Sequence, residues 1–180
     1  PFGFVGNTPV YGNASTLEYN NVSSFTVGNE WTANSTTAGA GVPQNVSLVN
    51  NASINMPTGN RGIAGNLTIA SGSTLILNGS NGDLYIAGNC NNGGTFNPNS
   101  RAVFFNGSTN QTITGTTAFD YLFIDNASNV TLASSISINN NTNSKIDFIN
   151  GKLILGANNL TLDGNAYVAG ASASRYMVTN

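Results

Sequence analysis

The stretch Ala102–Leu132, AVFFNGSTNQTITGTTAFDYLFIDNASNVTL, decides the fold. Four short apolar runs sit in it: Val103–Phe105, Ile113, Leu122–Ile124 and Val130–Leu132. Between them lie Asn106–Ser108, Gly115–Thr117 and Asp125–Asn129. Gly, Asn, Asp and Ser turn a chain readily, by accepting left-handed backbone or by bonding their own main chain. The runs are rich in β-branched and aromatic side chains, which suit a pleated, half-buried surface. No helix of useful length fits between the breaks. The stretch reads as strand, turn, strand, turn, advancing steadily.

The same beat continues on both sides. Val46–Val49 and Ala52–Met56 alternate apolar and polar residues, as half-buried strands do. Asn66–Ile69, Thr74–Leu77, Leu84–Ala87, Ile136–Ile138, Lys145–Ile149, Lys152–Leu155, Asn159–Leu162, Ala166–Ala169 and Tyr176–Val178 follow. Leu67, Leu84, Val103, Leu122, Ile138, Leu153 and Tyr167 recur at a self-similar spacing. A strand-only beat of this size marks a repeat architecture, here an all-β parallel β-helix (β-solenoid) with irregular coils of roughly 14–20 residues. Stacked coils bury one continuous apolar column, each strand pairing with its counterpart one coil away. Asn suits the corners because it tolerates left-handed backbone and because side-chain amides pair along a stack. A β-sandwich would need hairpin strands of matched length, and little such matching is present. Residues 1–45 are less regular and read as an N-terminal docking or capping segment with the first coils; residues 46–180 read as the solenoid.

Composition narrows the function. Charged residues make up 7 % of the chain, against roughly 25 % in an average domain. The 32 Asn and 21 Gly carry much of the rest, so polarity comes from neutral amides and hydroxyls. The five basic residues (Arg61, Arg101, Lys145, Lys152, Arg175) are scattered and the net charge is −2. Nucleic acid binding needs clustered cations, so it is not expected. No apolar run approaches the roughly 20 residues of a membrane-crossing helix, so membrane insertion is not expected either. Cys90 is alone, which forbids an internal disulfide; it reads as a small buried or half-buried residue, with an intermolecular bridge as the alternative. Scarce cysteine with abundant Asn, Thr and Ser suggests a bacterial exterior.

The runs Gly41–Val46, Arg61–Ile69, Gly94–Ser100, Val103–Ile113 and Gly156–Leu162 resemble a repeat region of very large cell-surface proteins of Bacteroidetes-type bacteria, typically exported by type IX secretion. The resemblance covers roughly residues 16–180 of the sequence. It implies an extracellular β-solenoid stalk or adhesin segment with no catalytic residues to transfer. In such proteins the sequence usually runs on past a segment like Tyr176–Asn180. The chain is therefore expected to be part of something longer, or a subunit that ends at a stacking face.

The candidate sites follow from these expectations. No histidine is present, which removes the commonest general base and transition-metal ligand. The seven acids are Glu18, Glu30, Asp83, Asp120, Asp125, Asp147 and Asp163; a polysaccharide-degrading solenoid would need two of them converging in one groove. Asp120 and Asp125 flank one strand and form the only candidate pair, for which solvated turn residues are the plainer reading. No catalytic, cofactor or metal site is expected. A Lys–Asn cross-link at Lys145 or Lys152 would need a nearby acid, and Asp147 is expected on the opposite face. The Asn-x-Ser/Thr triplets, such as those at Asn13, Asn66 and Asn159, arise by chance in so amide-rich a chain. Thr112 and Thr114 have the Thr-x-Thr spacing of flat ice-binding faces, but a single pair is not an array. Two partner readings remain. Phe2, Phe4 and Val5 at one end, with Tyr176 and Val178 at the other, are candidate residues for head-to-tail self-stacking or docking to adjacent domains. Tyr11, Tyr19, Trp31, Tyr85 and Tyr121 are candidates for stacking on glycans, although for Trp31 a place in the core or as an end-cap aromatic is the plainer reading.

Overall fold

The computed structural model describes residues 6–179, so Phe2, Phe4 and Val5 lie outside the described residues. Within them the chain forms short strands and no helix. Every ladder between strands is parallel. The chain visits three faces in turn. The first face is an eight-stranded sheet running from Thr16–Asn20 to Met177–Thr179. The second carries a four-stranded sheet ending at Thr95–Asn97 and a three-stranded sheet starting at Thr117–Phe119. The third is a six-stranded sheet from Arg61–Ile63 to Tyr167–Ala169. This is a parallel β-solenoid, with one complete coil for each strand of the third face. Its first strands, Thr16–Asn20 and Ser24–Thr26, already belong to the sheets.

Alternation along each strand builds the core. On the third face Leu84, Val103, Leu122 and Ile146 lie in register and are buried. Ile86, Phe105, Ile124 and Phe148 form a second buried column beside them. Phe119 from the second face meets Phe105 edge-on, with centroids 6.3 Å apart. Each such side chain removed from water contributes about 1.5–3 kcal/mol.

The coils are longer than the spacing suggested. Leu84, Val103 and Leu122 are true equivalents, and so are Val46, Leu67 and Cys90 on the first face. Leu67 and Leu153, however, lie on the first face, Ile138 on the second and Tyr167 on the third. Short steps of 14–17 residues therefore joined different faces of the solenoid. Register pairs such as Val103↔Leu122 and Leu122↔Ile146 show the real coil, which is longer and uneven.

The corners explain the Asn content. Five of the six non-glycine residues with positive φ are Asn: Asn50, Asn51, Asn99, Asn129 and Asn143. More often the side chain works along the axis. Asn45 Oδ1 accepts the N–H of Asn66, Asn66 Oδ1 that of Asn89, and Asn89 Oδ1 that of Thr112, at 2.8–2.9 Å. Asn129 does the same for Lys152 at 3.0 Å, and Asn60 for Asp83 at 2.9 Å. Direct amide-to-amide pairing occurs from Asn50 to Asn20, at 2.8 Å. The dominant use of Asn is thus to meet a backbone N–H of the next coil where the chain turns between faces, since an unmet donor is costly. Where backbone itself lies one coil away, only glycine fits. A Cβ on Gly115 or Gly151 would fall 1.8 Å from a carbonyl oxygen of the preceding coil, and both have positive φ.

One corner is unusually tight. Asp120 alone separates the strand Thr117–Phe119 from Tyr121–Asp125. Its buried carboxylate accepts the N–H of Ser100 (2.6 Å) and the amides of Asn139 (2.8 Å) and Asn141 (2.6 Å). The preceding coil takes four residues, Pro98–Arg101, to make the equivalent turn. That mismatch falls where the second face splits into two sheets.

Candidate functional site

The two ends of the solenoid differ. At the N-terminal end Trp31 is fully buried, and its Nε1–H donates to the Gly62 carbonyl at 2.9 Å. Arg61 Nε donates to the Trp31 carbonyl at 2.6 Å, and its Nη1 to the carbonyls of Gly59 and Asn60. The Glu30 carboxylate, also buried, accepts the Tyr19 hydroxyl (3.1 Å) and the Gly28 N–H (3.0 Å). Tyr11 donates its hydroxyl to the Glu30 carbonyl at 2.5 Å. Burial, reinforced by Glu30, pushes the Tyr11 phenol up to about 12 and the Tyr19 phenol further in the same direction. Burial lowers the Arg61 guanidinium from its ordinary value. Aromatic rings and hydrogen bonds thus cover the third face at this end, while the strands Thr16–Asn20 and Ser24–Thr26 each pair on one side only among the described residues.

At the C-terminal end the last described coil is a set of edge strands. The last strands of the three faces are Met177–Thr179, Leu160–Leu162 and Tyr167–Ala169. Each pairs on one side only among the described residues, leaving a coil of free N–H and C=O groups, the arrangement that templates further pairing. Leu160, Leu162, Val168 and Met177 continue the core columns of Ile136, Ile138, Ile146 and Leu153. The inner residues of those pairs are buried, whereas Leu162 is 37 % exposed and the other three are half-buried. The expected stacking residues at this end sit differently. Tyr176 and Val178 alternate with the inward Met177 and point away from the core. Lys152 Nζ lies over the Tyr176 ring, 4.8 Å from its centroid. The apolar end surface comes instead from Leu155, Leu160, Leu162, Val168 and Met177. The sequence hid this because their alternation is that of every other coil.

The expected glycan platforms do not form one surface. Trp31 and Tyr19 are buried and offer no ring face, and Tyr11 is tied to Glu30. Tyr85 belongs to a stack on the outside of the third face. Its ring lies 4.4 Å from that of Phe104 at 4°, and Phe104 lies 4.4 Å from Phe123 at 13°. Lys145 Nζ sits 5.2 Å from the Phe123 centroid. Phe104 has both ring faces covered by its neighbours, so the ladder presents no continuous run of ring faces. Tyr121 donates its hydroxyl to the Thr142 carbonyl at 2.7 Å.

The acids also stay apart. Asp120 is buried among its three donors, while Asp125 accepts from Asn150 Nδ2 at 2.6 Å. They do not pair. Lys145 and Asp147 form an ion pair at 2.7 Å. Contrary to expectation they share a face, because residues two apart in a strand point the same way. No group of three or more His, Cys, Asp or Glu residues able to hold a metal occurs among the described residues. Cys90 is buried, and burial raises its thiol to about 12. No protein-family model, curated protein or solved structure matches the chain.

Proposed function

We propose that the chain is an extracellular structural element of a bacterial surface, a β-solenoid stalk, adhesin segment or fibre subunit that stacks end to end. The observation that carries this reading is the last described coil, whose strands have a ladder on one side only among the described residues and whose core columns end in half-buried or exposed apolar side chains. Another parallel coil laid on it would continue the ladders and bury Leu160, Leu162, Val168 and Met177. Fully burying an aliphatic side chain contributes about 1.5–3 kcal/mol, so four half-buried ones offer several kcal/mol. The dispersed acids and absent histidine favour a mechanical role over catalysis, and the amide surface keeps a long rod wet without strong fields.

Sedimentation and negative-stain electron microscopy of the purified chain test this. One copy, with eight strands on its longest face, spans roughly 34 Å along the axis at about 4.8 Å per strand. The expected result is rods several times that length, shortened by Leu162→Lys or Val168→Lys. Uniform single-length particles at every concentration, unchanged in the two variants, would overturn the stacking.

A further inference from the structure

The outer side of the first face carries a second surface. In the strand Asn45–Val49, Val46 and Leu48 are buried, so Asn45 and Ser47 point outward. Register extends both positions from coil to coil. One column runs Ser47, Thr68, Asn91, Thr114. The other runs Asn45, Asn66, Asn89, Thr112, Thr131, linked by the corner amides and by direct pairing. The lone Thr112–Thr114 pair of the sequence is therefore one rank of an array.

Every member of both columns is a neutral hydroxyl or carboxamide. On this face the charges lie beyond the plateau, at Glu18 on one side and Lys152 on the other. The array is regular in two directions: ranks repeat about every 4.8 Å along the axis, and the columns stand about 6.7 Å apart across it. These intervals lie close to the repeats of water oxygens in hexagonal ice. Most of the second column and the threonines are also held still. Asn45, Asn66 and Asn89 are fixed by the N–H bonds their oxygens accept, and threonine is stiff at χ1. A shallow trough between the columns is lined by Asn66, Thr68, Asn89, Asn91, Thr112 and Thr114. It offers donors and acceptors on both walls to a rank of bridging waters.

Other occupants fit less well. The plateau has no aromatic ring for a sugar to stack on, no cation for a phosphate and no apolar centre for a protein interface. A rigid polar lattice loses little freedom when it meets an ordered one, which is the benefit of preorganisation. We propose that this face binds ordered water, with the surface of an ice crystal as its ligand. The inference rests on the first face alone and is independent of stacking at the C-terminal end.

The test is inhibition of ice recrystallisation, with thermal hysteresis as a second readout, on the intact chain. Asn91→Lys places a charge in the centre of the plateau, and Thr68→Tyr and Thr114→Tyr break its flatness at two further points. Ser137→Tyr makes a comparable change on the outside of the second face. Circular dichroism identifies the variants that keep the wild-type fold. The expected result is that wild-type protein arrests grain growth, that folded plateau variants need several-fold more protein, and that Ser137→Tyr matches wild type. Wild-type protein no better than an inert protein overturns the proposal, as do folded plateau variants that keep full activity.

Discussion

Asn89→Ala tests the idea that Asn is abundant because corners need acceptors. The wild-type Oδ1 accepts the N–H of Thr112 at 2.8 Å, while the Asn89 N–H is met by Asn66 Oδ1 at 2.8 Å. Alanine removes the first bond and leaves the second. A net intramolecular hydrogen bond is worth about 0.5–1.5 kcal/mol. Asn89 is exposed and Thr112 half-buried, so water replaces part of the loss and the expected cost is about 0.5–1 kcal/mol. For a chain of this size that lowers Tm by roughly 1–4 °C. Asn89→Asp keeps an acceptor oxygen in the same place and should melt within error of wild type at pH 7. Thermal melts followed by circular dichroism read the stability, and amide exchange at Thr112 reads the bond itself, which should open faster in the alanine variant alone. The reasoning is refuted if Asn89→Ala melts with wild type, or if Asn89→Asp falls as far as Asn89→Ala.

Four further outcomes follow from packing and ionisation. Phe105→Ala, in mid-column and fully buried, should cost about 3–5 kcal/mol by urea denaturation. Leu162→Ala, 37 % exposed in the last described coil, should cost under about 1 kcal/mol in the single copy. Gly151→Ala must hold φ near 72° and place a Cβ 1.8 Å from the Asn126 carbonyl oxygen; a loss of at least about 1–3 kcal/mol is expected in the same assay. The Cys90 thiol, raised to about 12 by burial, should resist iodoacetamide in the native protein at pH 9 and react once unfolded. Its effect on stability has a definite sign: an unfolded thiol ionises near 8.5, so this contribution is full below that pH and declines as pH rises toward about 12. A Cys90→Ala variant should lack that alkaline component.

The strands and the solenoid were legible because alternation and Gly/Asn breaks act locally. Val46, Leu48, Val103, Phe105, Leu122 and Ile124 all point inward as their pattern requires. The coil length was not legible, since an apolar run looks the same on each of three faces, and Leu67 and Leu84 follow each other in sequence without being equivalent. A core or end-cap place was legible for Trp31, whereas Tyr19, Glu30 and Arg61 were hidden for another reason. Tyr19 meets Glu30 across an irregular loop and Arg61 reaches the Trp31 carbonyl from the next coil, and nothing in a polar, irregular segment announces such neighbours. The buried Gln111, which donates to the Ile86 and Gly88 carbonyls and accepts from Gly107 and Asn126, reads in sequence as one more surface amide. Lys145 and Asp147 were legible, since their two-residue separation places them together, and the opposite expectation misapplied the period.

The split in the second face has a mechanical consequence. In a parallel solenoid the backbone bonds run along the long axis, so a pull between the ends loads the coils in series and the weakest junction yields first. Between Thr95–Asn97 and Thr117–Phe119 no backbone ladder joins the two sheets. The Asn92 amide to the Thr117 hydroxyl at 3.1 Å and the contact of Phe96 with Phe119 bridge the gap instead. Two faces carry ladders across this seam and the second does not, so this junction holds the fewest backbone bonds and is where the ladders of the first and third faces yield first under traction.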